Sequence, residues 1–568
     1  MQRSFLSRHQ NPNGAADGVP DRANGHATSN GEPISLELDA LIIGAGFAGV
    51  YLLHRLRQEG FNVKIVEAGT GLGGIWHWNN YPGARVDSQY PVYQLSIPEV
   101  FNTFEWTEHY PGSQELQRYF EHADKVLNLS KDVLYNTRVD KVKWDDTLHK
   151  WHVECENGTR ITTGYLNCCM GFAAKRHFPA WPGLEDFNGY ICHSSFWPAE
   201  GVDMKGKRVG VVGQGATGIQ IAQESAKDAK ELTVFIRTPN TALPMNQRKI
   251  SREHAATVNK TIAYRLQTER FGYAGGFLFG NPERKMLEDT PEERDARLGE
   301  YYQKGGFAPL FVYADVLTDT VSNRYMYDYW AKRTRARISN PVKRDILAPL
   351  EPPHPFMGKR PSLEQDYYEQ LDKDHVTLVD LKKVSVSHVV PEGVVTSDGE
   401  LHKLDILAMA TGFDSLTGSF TQVKIEGMNG IDLEQKWGTD LGALTYLGLS
   451  VAQFPNMFFT YGPQAPTAYG NGPSIVEPQA EWIVKVMKQM RLQGKTKINA
   501  QEPYEREWKK EVNDLHAATL RHNVDSWYMG TNIPGKPRQA LNYAGGLSTY
   551  IETINKRLDN DYEGFEVV

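Results

Sequence analysis

One order of elements occurs twice in this chain, and it constrains the fold more than any other feature. From Leu38 an apolar run leads into the glycine turn Gly44-Ala-Gly46-Phe47-Ala-Gly49, a helix-like stretch follows from Val50, and a second apolar run ends at Glu67. The order returns at Arg208-Val-Gly-Val-Val, Gly213-Gln-Gly215-Ala216-Thr217-Gly218, another helix-like stretch, and Leu232-Thr-Val-Phe-Ile before Arg237. Each reads as strand, turn, helix, strand, the βαβ unit. Two such units predict an α/β chain with two Rossmann-like dinucleotide-binding domains.

In the first turn Gly44 makes the tight bend, Gly46 lets backbone approach a pyrophosphate, and Gly49 lets helix pack on strand. The helix N-terminus then faces the phosphates. A single turn of this kind is a weak signal; the residue ending the next strand strengthens it. Glu67 can accept hydrogen bonds from both ribose hydroxyls of an adenosine, which selects FAD. At the matching place in the second unit stand Arg237 and Thr238, and a guanidinium suits a 2′-phosphate, which selects NADPH. An isolated strand-end arginine is ordinarily a solvated charge, but the intact turn upstream favours the phosphate reading. The predicted FAD contacts are Gly44, Gly46, Phe47, Gly49 and Glu67. Those for NADP are Gly213, Gly215, Ala216, Thr217, Gly218, Gln220, Arg237 and Thr238.

Between about Asn240 and Pro349 strand signals fade and charged, helix-favouring stretches such as Pro291-Glu-Glu-Arg-Asp-Ala-Arg-Leu appear. β-branched runs return at Val376-Thr-Leu-Val and Leu404-Asp-Ile-Leu-Ala-Met-Ala. The organisation expected is a disordered tail (1–35), a split FAD domain (36–170 and 400–568), an NADP domain (171–240 and 350–399) and a helical insertion within it (241–349).

With 62 basic and 69 acidic residues the net charge is -7, so no basic excess points to nucleic acid or an anionic membrane. The four cysteines, Cys155, Cys168, Cys169 and Cys192, form neither a disulfide framework nor a zinc pattern. No metal is expected, and a reducing, cytoplasmic setting is. The longest apolar stretch, Leu41 to Leu53, is interrupted by glycines and too short to span a bilayer. In the polar tail Asp17 and Asp21 argue against a transit peptide, whereas Arg3 and Arg8 are compatible with one. The oligomeric state is left open, a monomer being compatible with everything above.

Two further stretches choose among flavoproteins. Gly73-Gly74-Ile75-Trp76-His77-Trp78-Asn79-Asn80-Tyr81-Pro82-Gly83-Ala84-Arg85-Val86-Asp87 and Phe187-Asn-Gly189-Tyr-Ile-Cys-His193-Ser-Ser-Phe-Trp197-Pro198 resemble the two fingerprints of the type I Baeyer–Villiger monooxygenases, FAD- and NADPH-dependent oxidoreductases. The resemblance covers nearly everything after residue 35. It implies FAD contacts at Gly74, Ile75, Trp76, Asp87, Tyr93, Thr411 and Gly412, and NADP contacts at Arg85, Val86, Lys359 and Trp527. It also implies that His193 belongs to a linker coupling domain movement to catalysis and is not a proton-transfer group.

The implied activity is that NADPH reduces FAD, O2 adds to the flavin as a C4a-peroxide, and this attacks a ketone to give an ester or lactone. The implied catalytic pair is Arg360, a permanent cation beside the flavin, and Asp87, which orients it. Two departures stand out: Ser88-Gln89-Tyr90-Pro91-Val92 replaces the usual Glu-Ser stretch, and Cys168-Cys169-Met170-Gly171 replaces an Ala-Thr-Gly type of strand end. The loop Gly462-Pro463-Gln-Ala-Pro-Thr467-Ala468-Tyr469-Gly470-Asn471 resembles the one near the flavin, where Tyr469 adds bulk. Steroid, monocyclic and linear ketones all fit. The alternatives are a relative that oxygenates nitrogen or sulfur and a non-catalytic protein that senses NADPH.

Overall fold

The computed structural model describes residues 34–568. The expected disordered tail lies outside them apart from Ile34 and Ser35, and Ser35 opens the first strand. Strand β1 (Ser35–Ile43) is buried at Leu38 and from Ala40 to Ile43, the near-continuous apolar run that a parallel strand covered on both faces requires. Helix α1 (Phe47–Gln58) starts at the first glycine turn and buries Val50, Leu52, Leu53 and Leu56, while Arg55 and Arg57 complement the dipole in its last turn. Strand β2 (Val63–Val66) then pairs parallel to β1, Ile42 opposite Ile65.

Strands β3 (Val133–Leu134), β4 (Val139–Asp145), β5 (Lys150–Cys155) and β6 (Arg160–Cys168) extend this sheet. The chain then crosses to a second sheet. There β7 (Tyr190–His193) and β8 (Arg208–Val212) precede helix α2 (Ala216–Asp228) and β9 (Glu231–Ile236), the second glycine turn lying between β8 and α2. Strand β10 (Leu243–Pro244) pairs with β11 (Leu363–Glu364), and helices spanning Arg252–Asn259, Ile262–Gln267, Pro291–Lys304, Thr320–Arg335 and Pro341–Leu347 lie between them. Pro291 enters its helix under a capping box: Thr290 Oγ1 accepts from the Glu293 N–H and the Glu293 carboxylate accepts from the Thr290 N–H. Strand β12 (Val376–Asp380) pairs with β9. A separate antiparallel sheet of β13 (Val386–Val390), β14 (Gly393–Thr396) and β15 (Leu401–Lys403) then leads into β16 (Ile406–Met409).

Strand β16 corrects one expected boundary. The return to the FAD domain was placed at about residue 400, yet β16 lies between β8 and β7, completing the order β12-β9-β8-β16-β7. All four of its residues are buried, and an apolar run of that kind reveals that a strand is central without revealing in which sheet. The chain returns only with β17 (Lys424–Glu426) beside β4 and β18 (Met457–Phe459) beside β6, giving the order β17-β4-β5-β6-β1-β2-β3 with β18 attached to β6.

Each sheet has its own core. Ile42, Ile65, Val50 and Leu53 pack with Val484 and Met487 of the long helix α3 (Gly472–Leu492), and Val209, Val211, Ile219 and Val234 pack with Met326 and Trp330 of the helical segment. Each such fully buried aliphatic side chain contributes about 1.5–3 kcal/mol. Among the described residues no helix is long and apolar enough to cross a membrane.

Candidate active site

The first turn is built at backbone contact distance. Gly44 has φ +103°, and a Cβ there would lie 2.6 Å from the Cys169 carbonyl oxygen; a Cβ on Gly49 would lie 1.9 Å from the Gly44 carbonyl oxygen. Gly46 faces Gly74, itself at φ +54°, so the turn and the first fingerprint meet through glycines alone. Glu67 is 5% exposed, and its Oε2 accepts from the Ala45 N–H at 2.8 Å while Oε1 accepts from the Gly69 N–H at 2.7 Å. A carboxylate offers about four acceptor directions, so Glu67 braces the turn and keeps capacity for two ribose hydroxyls. A diphosphate facing the bare Gly46–Gly74 approach fits this cradle. Phe47 lies 5.1 Å edge-on from Tyr93, and Tyr93 Oη accepts from Trp76 Nε1 at 3.0 Å. Ile75 is exposed.

The second turn repeats the first. Gly213 has φ +106°, a Cβ there would lie 2.4 Å from the Ala410 carbonyl oxygen, and one on Gly218 would lie 2.1 Å from the Gly213 carbonyl oxygen; Gly215 has open space. Its strand end differs: Arg237 is exposed, Thr238 and Lys359 are half-buried, and Lys359 is held below its ordinary pKa by burial and then by the charge of Arg237. Neither Arg237 nor Lys359 forms an ion pair among the described residues. Arg237 and Lys359 repel one another, the Asp525 carboxylate opposing this only in part, and an anion such as a 2′-phosphate relieves the rest.

The first fingerprint also joins the two units. Tyr81 Oη donates to Gln220 Oε1 at 3.1 Å, Gln220 Nε2 donates to the Arg85 carbonyl at 3.0 Å, and Thr217 Oγ1 lies 3.4 Å from Tyr81 Oη. Gly83 suits this place, because its φ is +77° and a Cβ would lie 3.1 Å from the Gln220 carbonyl oxygen. The Arg85 guanidinium is engaged by Glu108 and the Tyr110 carbonyl, Val86 is buried, and Ala216 opens α2.

Arg360 is the expected cation. Arg360 Nε donates to Asp87 Oδ2 at 2.8 Å, Nη2 to Oδ1 at 3.0 Å, and Nη1 to the Ala468 carbonyl at 2.9 Å. Phe307 covers the guanidinium, ring centroid 4.9 Å from Cζ. Burial alone would lower the pKa of Arg360, but the charge and hydrogen bonds of Asp87 outweigh it and the group ends above its ordinary value. The same electrostatic neighbourhood contains Tyr93, Tyr461 and Tyr528, all with raised pKa through burial. Lys359 and Arg360 are adjacent, one beside Arg237 and the other on Asp87.

Other expected residues are placed as follows. The Thr411 hydroxyl donates to the His177 carbonyl at 2.6 Å, and His193 Nε2 lies 3.1 Å from the Gly412 carbonyl while Nδ1 lies 3.0 Å from Ser195 Oγ. Thr411, Gly412 and His193 thus meet where the chain crosses between sheets. Trp527 stacks on Phe172 at 5.5 Å. Tyr469 Oη lies 2.9 Å from His516 Nε2, so the tyrosine ties its loop to helix α4 (Glu502–Ala517). Cys169 Sγ accepts from Thr460 Oγ1 at 3.3 Å. Sequence reasoning missed Glu108, Phe307 and the Ala468 carbonyl. Their partners are 23, 53 and 108 residues distant, and nothing local marks them.

Two dinucleotide turns and a carboxylate-bound arginine define a flavin-dependent oxidoreductase with a second nucleotide cofactor. The family described as flavin-binding monooxygenase-like matches residues 39–256. Cyclopentanone 1,2-monooxygenase from Comamonas sp. (strain NCIMB 9872) is 41% identical over 94% of this chain and 96% of its own. A closed crystal structure of cyclohexanone monooxygenase superposes with TM-score 0.90 at 32% identity, and a complex of OTEMO with FAD and NADP with TM-score 0.89 at 33%, each covering 94% of this chain and 99% of the other. The chain belongs to the type I Baeyer–Villiger monooxygenases of the flavin-binding monooxygenase family.

Proposed function

We propose that the chain holds FAD in the first glycine turn and NADPH in the second, and that it converts a ketone, O2, NADPH and a proton into an ester or lactone, NADP+ and water. The observation that carries this reading is Arg360, fixed by three hydrogen bonds to Asp87 and the Ala468 carbonyl. Bound together, the cofactors would supply hydride and, from O2, the oxidant. The protein's part is to hold a fixed positive charge where anionic charge develops. Asp87 engages the guanidinium through two parallel hydrogen bonds, the Ala468 carbonyl blocks rotation, and an arginine remains charged at any working pH. Tyr93, Tyr461 and Tyr528 stay neutral phenols, so none cancels that charge.

Arg237, Thr238 and Lys359 hold the 2′-phosphate, and Glu67 the flavin adenosine's ribose. The FAD domain comprises 36–170 and the C-terminal part of the chain, with the NADP domain and its helical insertion between. A single chain supplies both turns and the Arg360–Asp87 pair, so a monomer suffices. All four cysteines are buried free thiols, as in a reducing compartment, and the cytoplasm is the proposed location. In Arg360→Ala, ester formation should fall about 100–1,000-fold, the usual effect of losing one preorganised donor, while NADPH is still bound and consumed, with H2O2 as product. Arg360→Lys should restore little. Near-normal ester yield from Arg360→Ala in product analysis would overturn the assignment.

A further inference from the structure

Two segments carry the chain between its sheets, one from β6 to β7 and the other from β16 to β17, and any change in the angle between the sheets must flex both. They run side by side and are zipped: the Leu416 N–H donates to the Phe172 carbonyl at 2.9 Å, the Asp414 N–H to the Lys175 carbonyl at 2.8 Å, and the His177 N–H to the Gly412 carbonyl at 3.0 Å, with Arg176 bridged antiparallel to Phe413. Across this ladder lies a strap from the C-terminal part of the chain, 526–540, whose regular structure is limited to the short 3-10 turn Trp527–Met529.

The strap touches the ladder at three points. The Lys536 ammonium is bound to the Asp414 carboxylate and donates to Thr417 Oγ1 at 2.7 Å, Asn532 Nδ2 donates to the Phe413 carbonyl at 2.8 Å, and Trp527 stacks on Phe172. Asp414 is 6% exposed and also faces the Lys175 ammonium at 3.6 Å. One buried carboxylate therefore joins three parts of the chain: both crossings and the strap. An ion pair of this burial contributes where it sets a particular arrangement, because removing one partner leaves the other charged and desolvated.

We propose that Asp414 is a positioning residue, which clamps the 526–540 strap through Lys536 onto the paired crossings and thereby fixes the angle at which the NADP unit meets the flavin unit. The consequence for turnover rests on the function proposed above; the clamp itself does not. With Lys536 removed the angle is sampled more widely, so reducing equivalents are delivered less often into a closed site and O2 is reduced to H2O2 without oxygenation of the ketone.

The test uses the FAD-loaded full chain with Lys536→Met, Lys536→Gln and Lys536→Arg. In the Met and Gln variants the NADPH KM should rise roughly tenfold, as for loss of a charge-assisted contact, kcat for NADPH oxidation should change less, and the H2O2 share should rise. Trypsin should cut at Lys536-flanking sites such as Arg538 sooner than in the parent, with FAD content and Tm within error. Lys536→Arg should restore every readout. Parental KM, coupling and protease resistance in the Met and Gln variants would overturn the clamp. So would a loss of FAD content or Tm that Lys536→Arg shares, which would mark Lys536 as part of the fold only. If the parent chain makes no ester from any ketone, the proposed function fails, and cleavage kinetics alone decide the clamp.

Discussion

The two glycine turns are nearly the same object up to the end of their second strand and opposites beyond it. Gly44 and Gly213 adopt φ +103° and +106°, and Gly49 and Gly218 leave 1.9 and 2.1 Å where a Cβ would meet the preceding carbonyl. Glu67 is buried and bonded to the Ala45 and Gly69 N–H groups, whereas Arg237 is exposed and has no ion-pair partner among the described residues. The backbone of the two turns is thus alike, and on the proposed reading cofactor choice is added by one side chain at the strand end. The comparison teaches a second thing. The first site is braced before its ligand arrives, as suits a resident cofactor, while the second sets two cations against one another that an anionic ligand further relieves, as suits one that comes and goes.

The strongest way to break this comparison is at the glycines. Gly49→Ala and Gly218→Ala each force a methyl into a backbone carbonyl, and overpacking of this kind costs about 3 kcal/mol or more where backbone cannot move, or roughly 100-fold in binding. Gly49→Ala should lose FAD, by absorbance per chain. Gly218→Ala should keep the flavin and lose NADPH, by titration. If Gly218→Ala also releases FAD, the turns are not independent. Next comes Arg237→Ala, which should raise the NADPH constant about 10–150-fold, one lost charge-assisted contact, and leave NADH kinetics unchanged. Equal weakening of both nucleotides would make Arg237 structural.

Glu67→Gln sharpens the contrast with a smaller effect. An amide has one acceptor oxygen, so its NH2 must face the Ala45 or Gly69 N–H, costing about 1–3 kcal/mol. Tm and FAD affinity should fall together; a drop in neither would remove Glu67 from the brace. An effect confined to acid pH, and absent near neutrality, lies at the junction. Burial holds the His193 imidazole down at about 4 against an ordinary 6.5. Below pH 6.5 the unfolded chain binds a proton that the folded one refuses. Stability from this group is therefore full above pH 6.5 and declines as pH falls to about 4, by about 3 kcal/mol at most. His109 and His516 are depressed by burial in the same direction and to similar values, so His193→Gln should flatten that limb of a Tm–pH curve without abolishing it.

What the sequence disclosed follows from range. Gly44, Gly213 and the strand ends Glu67 and Arg237 sit in local patterns whose spacing is dictated by one βαβ unit, so their places in the fold could be read from the sequence. The pair of Asp87 and Arg360 is 273 residues apart and was reachable only through resemblance to a known family. Strand β16 was legible as a strand but not as a member of the second sheet, because apolar periodicity carries burial and not partnership. Phe307, Glu108 and the Ala468 carbonyl act through contacts that only the folded chain creates. Tyr469 shows the converse: its bulk was legible, and its bond to His516 in α4 was not.

The dipeptide Lys359-Arg360 has an evolutionary consequence. One of its side chains stands in the cationic cluster of the second turn and the other on Asp87, and consecutive Cα atoms are held about 3.8 Å apart by a rigid peptide plane. The two charges therefore share one anchor. On the proposed roles, a backbone shift of this segment toward a different nicotinamide nucleotide would also move the guanidinium relative to Asp87, whereas a side-chain change at Arg237 would alter nucleotide preference alone. Substitutions of the Lys359 side chain that leave its backbone in place would likewise touch nucleotide preference and leave the Arg360–Asp87 pair where it is.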